Sequence, residues 1–282
     1  MNLKNLMVTL GVAALLGITG GTPHVAAAVG PHGDGPHARI IGGGKVAPGD
    51  FPATVSAVAS TVFDGTYSCS GALISPHWVV TAAHCIDGFY GLGPGWTDVH
   101  VGSIDREDGQ SRRVVEMFQH PHYRGGEKGG PFDVGLLKLD RDVVTVAPAV
   151  IGPEIAASAV PFPATLTGWG RTCNPADGRL NCPDLPLDLK YLDTQVIEPV
   201  HCSEPGRHFD AHVELCTESE PNSSPCVGDS GGPLWKLLED RRLLLIGTVS
   251  RGSGPECGFR DTIMSNLTSP GIRTWINDVT GV

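Results

Sequence analysis

Short apolar runs, each closed by glycine, proline or another turn residue, constrain the fold of this chain more than any other feature. They fall at 53–58, 71–74, 78–82, 114–118, 134–139, 164–168, 192–197 and 243–249. Runs this short suit β-strands, because a helix needs a longer amphipathic repeat before it is worth forming. The 38 glycines and 23 prolines supply the turns between them, and the regular recurrence predicts an all-β chain built as a sandwich or barrel. One segment differs in kind. Ser269 is placed to cap a helix opened by Pro270, along which Ile272, Trp275, Ile276 and Val279 recur at helical spacing. A C-terminal amphipathic helix docked on the body is expected.

The N-terminus reads as an export signal over residues 1–28. Lys4 gives it a positive start, residues 6–16 are apolar, and Ala26-Ala27-Ala28 forms a small-residue cleavage site. A membrane anchor is the competing reading, but Gly11, Gly17, Gly20 and Gly21 interrupt a run already short of the roughly 20 residues a span requires. No later segment is long and apolar enough to cross a bilayer. Residues 29–39 are mostly Gly, Pro and His and read as an unstructured pro-segment, a reading preferred over metal binding by the stretch Pro31-His32-Gly33-Asp34-Gly35-Pro36-His37. A formal charge of −10, from 20 basic and 30 acidic residues, argues against nucleic acid as a partner. Export makes the cysteines at 69, 85, 173, 182, 202, 216, 226 and 257 readable as disulfides. A zinc site is disfavoured, since no Cys-x-x-Cys pair occurs. The loop from Arg171 to Pro186 is rich in turn residues, and a bridge between Cys173 and Cys182 would close it locally.

The residues that carry chemistry lie on these runs. Cys226-Val227-Gly228-Asp229-Ser230-Gly231-Gly232-Pro233 places a serine among glycines. Such a backbone can aim N–H groups at an oxyanion, as a nucleophilic serine needs, though alone it is also compatible with an ordinary turn. His84 follows the strand-like residues 78–83 and precedes Cys85, which can pin the strand end. Histidine, with an ordinary pKa of about 6.5, suits proton transfer near neutrality. Asp133 opens an apolar strand, and a carboxylate there needs a donor such as an imidazole N–H. Each residue alone has a structural reading; the combination is what points to acyl transfer.

Ile40-Ile41-Gly42-Gly43, Thr81-Ala82-Ala83-His84-Cys85, Asp133-Val134-Gly135-Leu136-Leu137 and Gly228-Asp229-Ser230-Gly231-Gly232-Pro233 together resemble the trypsin/chymotrypsin-family serine proteases, in that family's His, Asp, Ser order. The resemblance implies two six-stranded antiparallel β-barrels packed face to face, with a C-terminal helix, over residues 40–282. It implies Ser230 as nucleophile, His84 as base, Asp133 as the orienting carboxylate, and the N–H groups of Gly228 and Ser230 as the oxyanion hole. It further implies activation by cleavage of Arg39–Ile40, the new α-amino group pairing with Asp229. The disulfides it selects are Cys69–Cys85, Cys202–Cys216 and Cys226–Cys257, which leaves Cys173–Cys182 as an addition of this chain. An α/β-hydrolase esterase predicts a different residue order and parallel units, and an inactive binding relative predicts a missing triad residue; neither matches.

Specificity is carried by fewer residues. By the same resemblance Ser224 forms the floor of the primary pocket, where a carboxylate would select Lys or Arg; serine favours a neutral apolar or aromatic P1 residue. Ser250 and Gly252 match substrate-binding positions. Three departures stand out: Arg251 replaces a usual aromatic, Pro225 adjoins the floor, and Thr262 replaces a glycine and narrows the pocket. Arg251 either favours an acidic substrate side chain or lies solvated along the cleft, the second being preferred. The cluster Asp105-Arg106-Glu107-Asp108 invites a calcium reading, with a solvated charged turn preferred. Expected partners are protein or peptide substrates, an activating protease and protein inhibitors, for a secreted, extracellular monomer without cofactor or metal. Asn222 and Asn266 begin Asn-x-Ser/Thr sequons.

Overall fold

The structure, a computed structural model, describes residues 40–61, 65–86, 93–95, 97–125, 129–156, 159–173, 185–203, 208–220, 223–252, 257 and 261–282. The expected export signal and linker with Arg39, together with Cys182 and Asn222, lie outside the described residues. The first strands in chain order are β1 (Gly44–Lys45), β2 (Thr54–Thr61), β3 (Gly65–Ser75), β4 (Trp78–Thr81), β5 (Thr97–Val101), β6 (Gln110–Gln119) and β7 (Gly135–Leu139). They continue with β8 (Val150–Ile151), β9 (Phe162–Gly168), β10 (Lys190–Ile197), β11 (Glu214–Thr217), β12 (Pro233–Leu237), β13 (Leu243–Gly252) and β14 (Thr262–Asn266), and the helix α1 spans Pro270–Thr280.

Strands β2-β3-β4-β7-β6-β5 close an antiparallel six-stranded barrel. A second antiparallel barrel closes because β9 pairs with both β10 and β12, completing the circuit β9-β10-β11-β14-β13-β12. Closure removes the free edges that an open sheet would expose. The short β1 lies antiparallel to β10, and β8 lies parallel to β13. All eight apolar runs of the sequence fall within strands, with bounds that differ by a few residues. The strands they miss carry more polar residues: β5 alternates buried Thr97, Val99 and Val101 with part-exposed Asp98 and His100.

One apolar cluster runs through both barrels. It joins Val55, Leu73, Val80, Val99 and Leu136 of the first with Trp235 and Leu245 of the second, and with Ile272 and Ile276 of α1. A second cluster fills the second barrel with Phe162, Leu166, Leu192, Leu234, Val249 and Met264, and Ile40 is packed into it. Between the barrels, Trp235 Nε1 donates to Thr167 Oγ1 at 3.0 Å, and that hydroxyl pairs with Thr54 Oγ1 at 2.9 Å.

The helix forms where its spacing places it, but not with the expected side-chain cap. Ser269 occupies the N-cap position in extended backbone without a side-chain cap hydrogen bond, and its Oγ is buried with no partner among the described residues. Docking holds the helix instead: Ile272 and Ile276 are buried, and Arg273 Nη1 donates to Gly152 O at 2.8 Å. Three expected disulfides are present, Cys69–Cys85, Cys202–Cys216 and Cys226–Cys257. Cys173 is also disulfide-bonded. Asn266 is buried and its Oδ1 accepts from Thr268 N and Oγ1, so its amide is not presented for glycosylation.

Leu136 is fully buried in the core that both barrels share. Leu136→Ala is expected to cost about 2–5 kcal/mol of stability, measured by denaturant unfolding with the disulfides intact.

Candidate active site

His84 lies in a 3-10 turn, Ala83–Ile86, that follows β4. The disulfide from Cys85 to Cys69 in β3 fixes this turn against the first barrel. Asp133 grips the histidine twice: Oδ1 accepts from the His84 backbone N–H at 2.9 Å, and Oδ2 lies 2.7 Å from Nδ1. Asp133 is fully buried and His84 is 5% exposed. A carboxylate only accepts, so Nδ1 carries the proton, and Nε2 is the basic nitrogen of the ring. A third donor, Ser250 Oγ, reaches Asp133 Oδ2 at 2.7 Å from β13 of the other barrel. The residue before Asp133, Phe132, is held at φ 63°, and Val134 N donates to Phe132 O at 2.7 Å, so the aspartate sits in a tight turn at the start of β7.

Ser230 lies in a turn before β12 that contains two glycines at positive φ, Gly228 at 98° and Gly231 at 75°. This turn is pressed onto the first barrel beside His84. Ser70 N donates to Ser230 O at 2.8 Å and Ser70 Oγ to Gly228 O at 3.0 Å. The sulfur of Cys85, next to His84, lies 3.8 Å from Ser230 O. A Cβ on Gly231 would sit 2.1 Å from Thr81 Oγ1 and 2.4 Å from Ser70 O, so only glycine fits there. The N–H groups of Asp229, Gly231 and Gly232 are each taken by a backbone carbonyl. Among the described residues, those of Gly228 and Ser230 have no protein acceptor. Two unclaimed donors one residue apart on a glycine-built turn are what an anion would meet there.

Asp229 is fully buried, and its carboxylate accepts from Gly170 N at 2.7 Å and Cys226 N at 2.9 Å. Burial raises this carboxyl to about 7, against the lowering effect of the Cys226 and Gly170 hydrogen bonds. Gly168 and Gly170 shape its socket, since a Cβ on either would come within 2.3 Å and 2.1 Å of the carboxylate oxygens. Ile40 is fully buried, and the next residue, Ile41, bridges Ser224 through the Ser224 N–H at 2.9 Å. Ser224 is 2% exposed, and its hydroxyl donates to Pro225 O at 3.0 Å. Gly252 lies directly opposite Thr262 on β14, which puts the threonine side chain on the face where Gly252 has none.

The preferred sequence reading of Arg251 is corrected. Its side chain is 15% exposed, not solvated, and forks onto the fully buried carboxylate of Glu214, with Nη1–Oε1 at 2.5 Å and Nη2–Oε2 at 3.1 Å. Its charge is therefore not free to select an acidic substrate residue either. Burial raises the Glu214 carboxyl above its usual range, partly offset by Arg251. The charged cluster at 105–108 forms a turn closed on itself: Arg106 pairs with Glu107 at 2.8 Å and Asp105 Oδ1 accepts from Glu107 N at 2.9 Å. The residues missed from sequence are Ser70, Gly168, Gly170 and Glu214. A Gly-Trp-Gly triplet at 168–170 was a visible sign of close backbone approach; nothing marked Ser70 or Glu214 in advance.

The family model for trypsin matches residues 40–276. The chain is 30% identical over 251 residues to brachyurin of Leptuca pugilator, covering 86% of this chain and 99% of that protein. It is 29% identical to chymotrypsin-like elastase family member 1 of Macaca fascicularis, over 86% of this chain and 89% of the relative. Against the serine proteinase stubble of Drosophila melanogaster it is 31% identical over 78% of this chain, and spans 28% of that longer protein. A match over nearly all of both barrels, joined to the residue order above, makes this chain a member of the trypsin family, a chymotrypsin-fold serine endopeptidase.

Proposed function

We propose that the chain is a secreted endopeptidase made as a zymogen, with residues 1–28 as signal, 29–39 as activation peptide and 40–282 as protease domain. Ser230 is the nucleophile, His84 the base and Asp133 the group that orients it. The observation that carries this reading is the pair of unclaimed N–H groups, on Gly228 and Ser230, in a turn packed against the His84–Asp133 segment. Ser230 Oγ attacks the scissile carbonyl carbon as His84 Nε2 takes the hydroxyl proton. The carbonyl oxygen, now an anion, accepts from Gly228 N–H and Ser230 N–H, while Asp133 supports the imidazolium. His84 returns the proton to the leaving amine, and water then repeats the sequence on the acyl-enzyme.

With this machinery, Ser230→Ala or His84→Ala lowers kcat by about a million-fold, and Asp133→Asn by roughly ten-thousand-fold. The measurement is peptide-amide hydrolysis by protein cleaved after Arg39, with covalent labelling by a fluorophosphonate probe alongside. Absence of a label on Ser230 in the parent protein would defeat the reading.

The activation step is supported by Asp229. Among the described residues this buried carboxylate has two N–H donors and no cation. Cleavage of Arg39–Ile40 turns the Ile40 nitrogen into an ammonium on a residue already packed in the second barrel, supplying the missing charge. Arg39→Gln is expected to leave the protein without peptidase activity after treatment with an Arg-directed protease, while the parent gains it. The precursor also has a pH signature. The Asp229 carboxyl stands at 3.8 unfolded and about 7 folded. The folded state therefore holds this proton more tightly, and the associated stability is full below the lower value and lost as pH rises through the upper one. The uncleaved Ser230→Ala protein should lose stability across that window, and Asp229→Asn should remove this part of the slope. Glu214 contributes with the same sign and His120, lowered by burial to about 4, with the opposite sign, so the difference between the two proteins is the quantity to measure.

For the substrate, Ser224 at the pocket floor supports a neutral P1 residue, and Thr262 opposite Gly252 supports the smaller apolar side chains. Profiling on a peptide library is expected to place Ala, Val and Leu above Phe and Tyr at P1, and all of them above Lys and Arg. A preference for basic P1 residues would overturn this assignment.

A further inference from the structure

Strand β13 carries one residue too many opposite β14. Val249 pairs with Met264 and Arg251 with Ile263, so Ser250 has no place in the ladder. Bulges re-aim side chains beside functional sites, and this one turns the Ser250 hydroxyl onto Asp133 Oδ2 at 2.7 Å. A hydroxyl has one proton and two lone pairs, so its surroundings decide where the proton goes. Arg251 decides it here. Its Nη1 lies 3.2 Å from Ser250 Oγ, and a guanidinium only donates, so the serine must accept from Arg251 and spend its proton elsewhere.

Arg251 is itself held on several sides. Besides the fork onto Glu214, its Nη2 donates to His208 O at 2.5 Å. Glu214 Oε2 also accepts from Asp210 N at 2.8 Å. Gly129 closes over the network: a Cβ there would lie 3.0 Å from both Asp133 Oδ2 and Ser250 Oγ, and 3.4 Å from Arg251 Cδ. The result is a run of buried donors and acceptors from Glu214 through Arg251 and Ser250 to Asp133 and His84.

We propose that Arg251, fixed by Glu214, is a positioning residue that commits the Ser250 proton to Asp133 and so sets how strongly Asp133 supports the His84 imidazolium. The inference rests on reading His84 as the base. A hydroxyl polarised by a guanidinium draws charge from Asp133 Oδ2, the atom that faces His84 Nδ1. The imidazolium is then held less tightly, and His84 gives up its proton at lower pH. The ionisable groups around this pair are Asp133 itself, Asp229 in the serine turn, His120 and His122 on the segment that pairs with Val134, and Arg251, Glu214, Asp210 and His208 on the far side. Within that set Arg251 and Glu214 have opposite charge, so removing one or the other moves His84 in opposite directions.

The test is the pH profile of kcat/KM for cleaved protein, normalised by active-site titration, on a short neutral peptide amide. Arg251→Gln is expected to raise the acid limb by about half a pH unit and lower kcat several-fold, with KM within about twofold. Arg251→Lys, which restores a cation, recovers part of both. Glu214→Gln, close in shape, leaves the guanidinium uncompensated and moves the acid limb down. If Arg251→Gln does not fold, that downward shift carries the test alone. Acid limbs unchanged or shifted the same way in both variants overturn the proposal. So does a change confined to KM for peptides bearing Asp or Glu, which would make Arg251 a substrate contact. Undiminished activity in His84→Ala would overturn the underlying reading instead, whereas an inactive His84→Ala beside an unchanged Arg251→Gln profile defeats this inference only.

Discussion

A carboxylate taken out of water costs several kcal/mol unless donors surround it. Asp133 and Asp229 are both fully buried, and the arrangement of the two barrels follows from supplying their donors. Asp133 receives the main chain and ring of His84 from the end of β4, and the hydroxyl of Ser250 from the bulge in β13. Those donors come from different barrels, so the carboxylate is satisfied only when the barrels are docked. Ser265 of β14 adds a further tie, donating from Oγ to Asp133 O at 2.8 Å. The shared apolar core supplies the adhesion, and the polar contacts fix its register.

Asp229 imposes a different demand. Its socket is made of backbone, and Gly168 and Gly170 are glycines because a methyl group at either would overlap a carboxylate oxygen. The two N–H groups it receives lower its carboxyl less than burial raises it, which leaves the group near 7. With Ile40 packed and Asp229 buried, the carboxyl has two N–H donors and no cation among the described residues. On the proposed reading, cleavage supplies a cation at Ile40, already packed in the second barrel.

Much of this was legible in the sequence, and the exceptions share a physical cause. Continuous apolar runs exposed β4, β7 and β13, because their burial is written in Val, Leu and Ile. β14, with the sequence Thr-Ile-Met-Ser-Asn, is buried at every position, yet its polar residues are satisfied by partners far along the chain. Ser265 reaches Asp133, and Thr262 pairs with Ser219. Pro233 heads β12 and hides it as a turn. The sequence reading of Arg251 failed for the same reason. Glu214 is 37 residues away, and the two meet only because β11 and β13 both pair with β14. Local pattern records which residues avoid water; it does not record which buried polar groups find each other.

The serine turn links functions that are otherwise separate. Ser224 is bonded to Ile41, Asp229 occupies the glycine socket, and Gly228 and Ser230 carry the unclaimed donors, all within nine residues from 224 to 232. The His84–Asp133 pair, by contrast, is completed by Ser250 and by its own barrel. On the proposed reading, a charge arriving at Asp229 acts on the pocket floor and the oxyanion donors, and leaves the base largely as it was. If the zymogen reading holds, the precursor lacks activity because it cannot stabilise the developing oxyanion or seat the P1 residue. On that same reading, proton abstraction is already prepared, since the His84 geometry depends on a different buried carboxylate, Asp133.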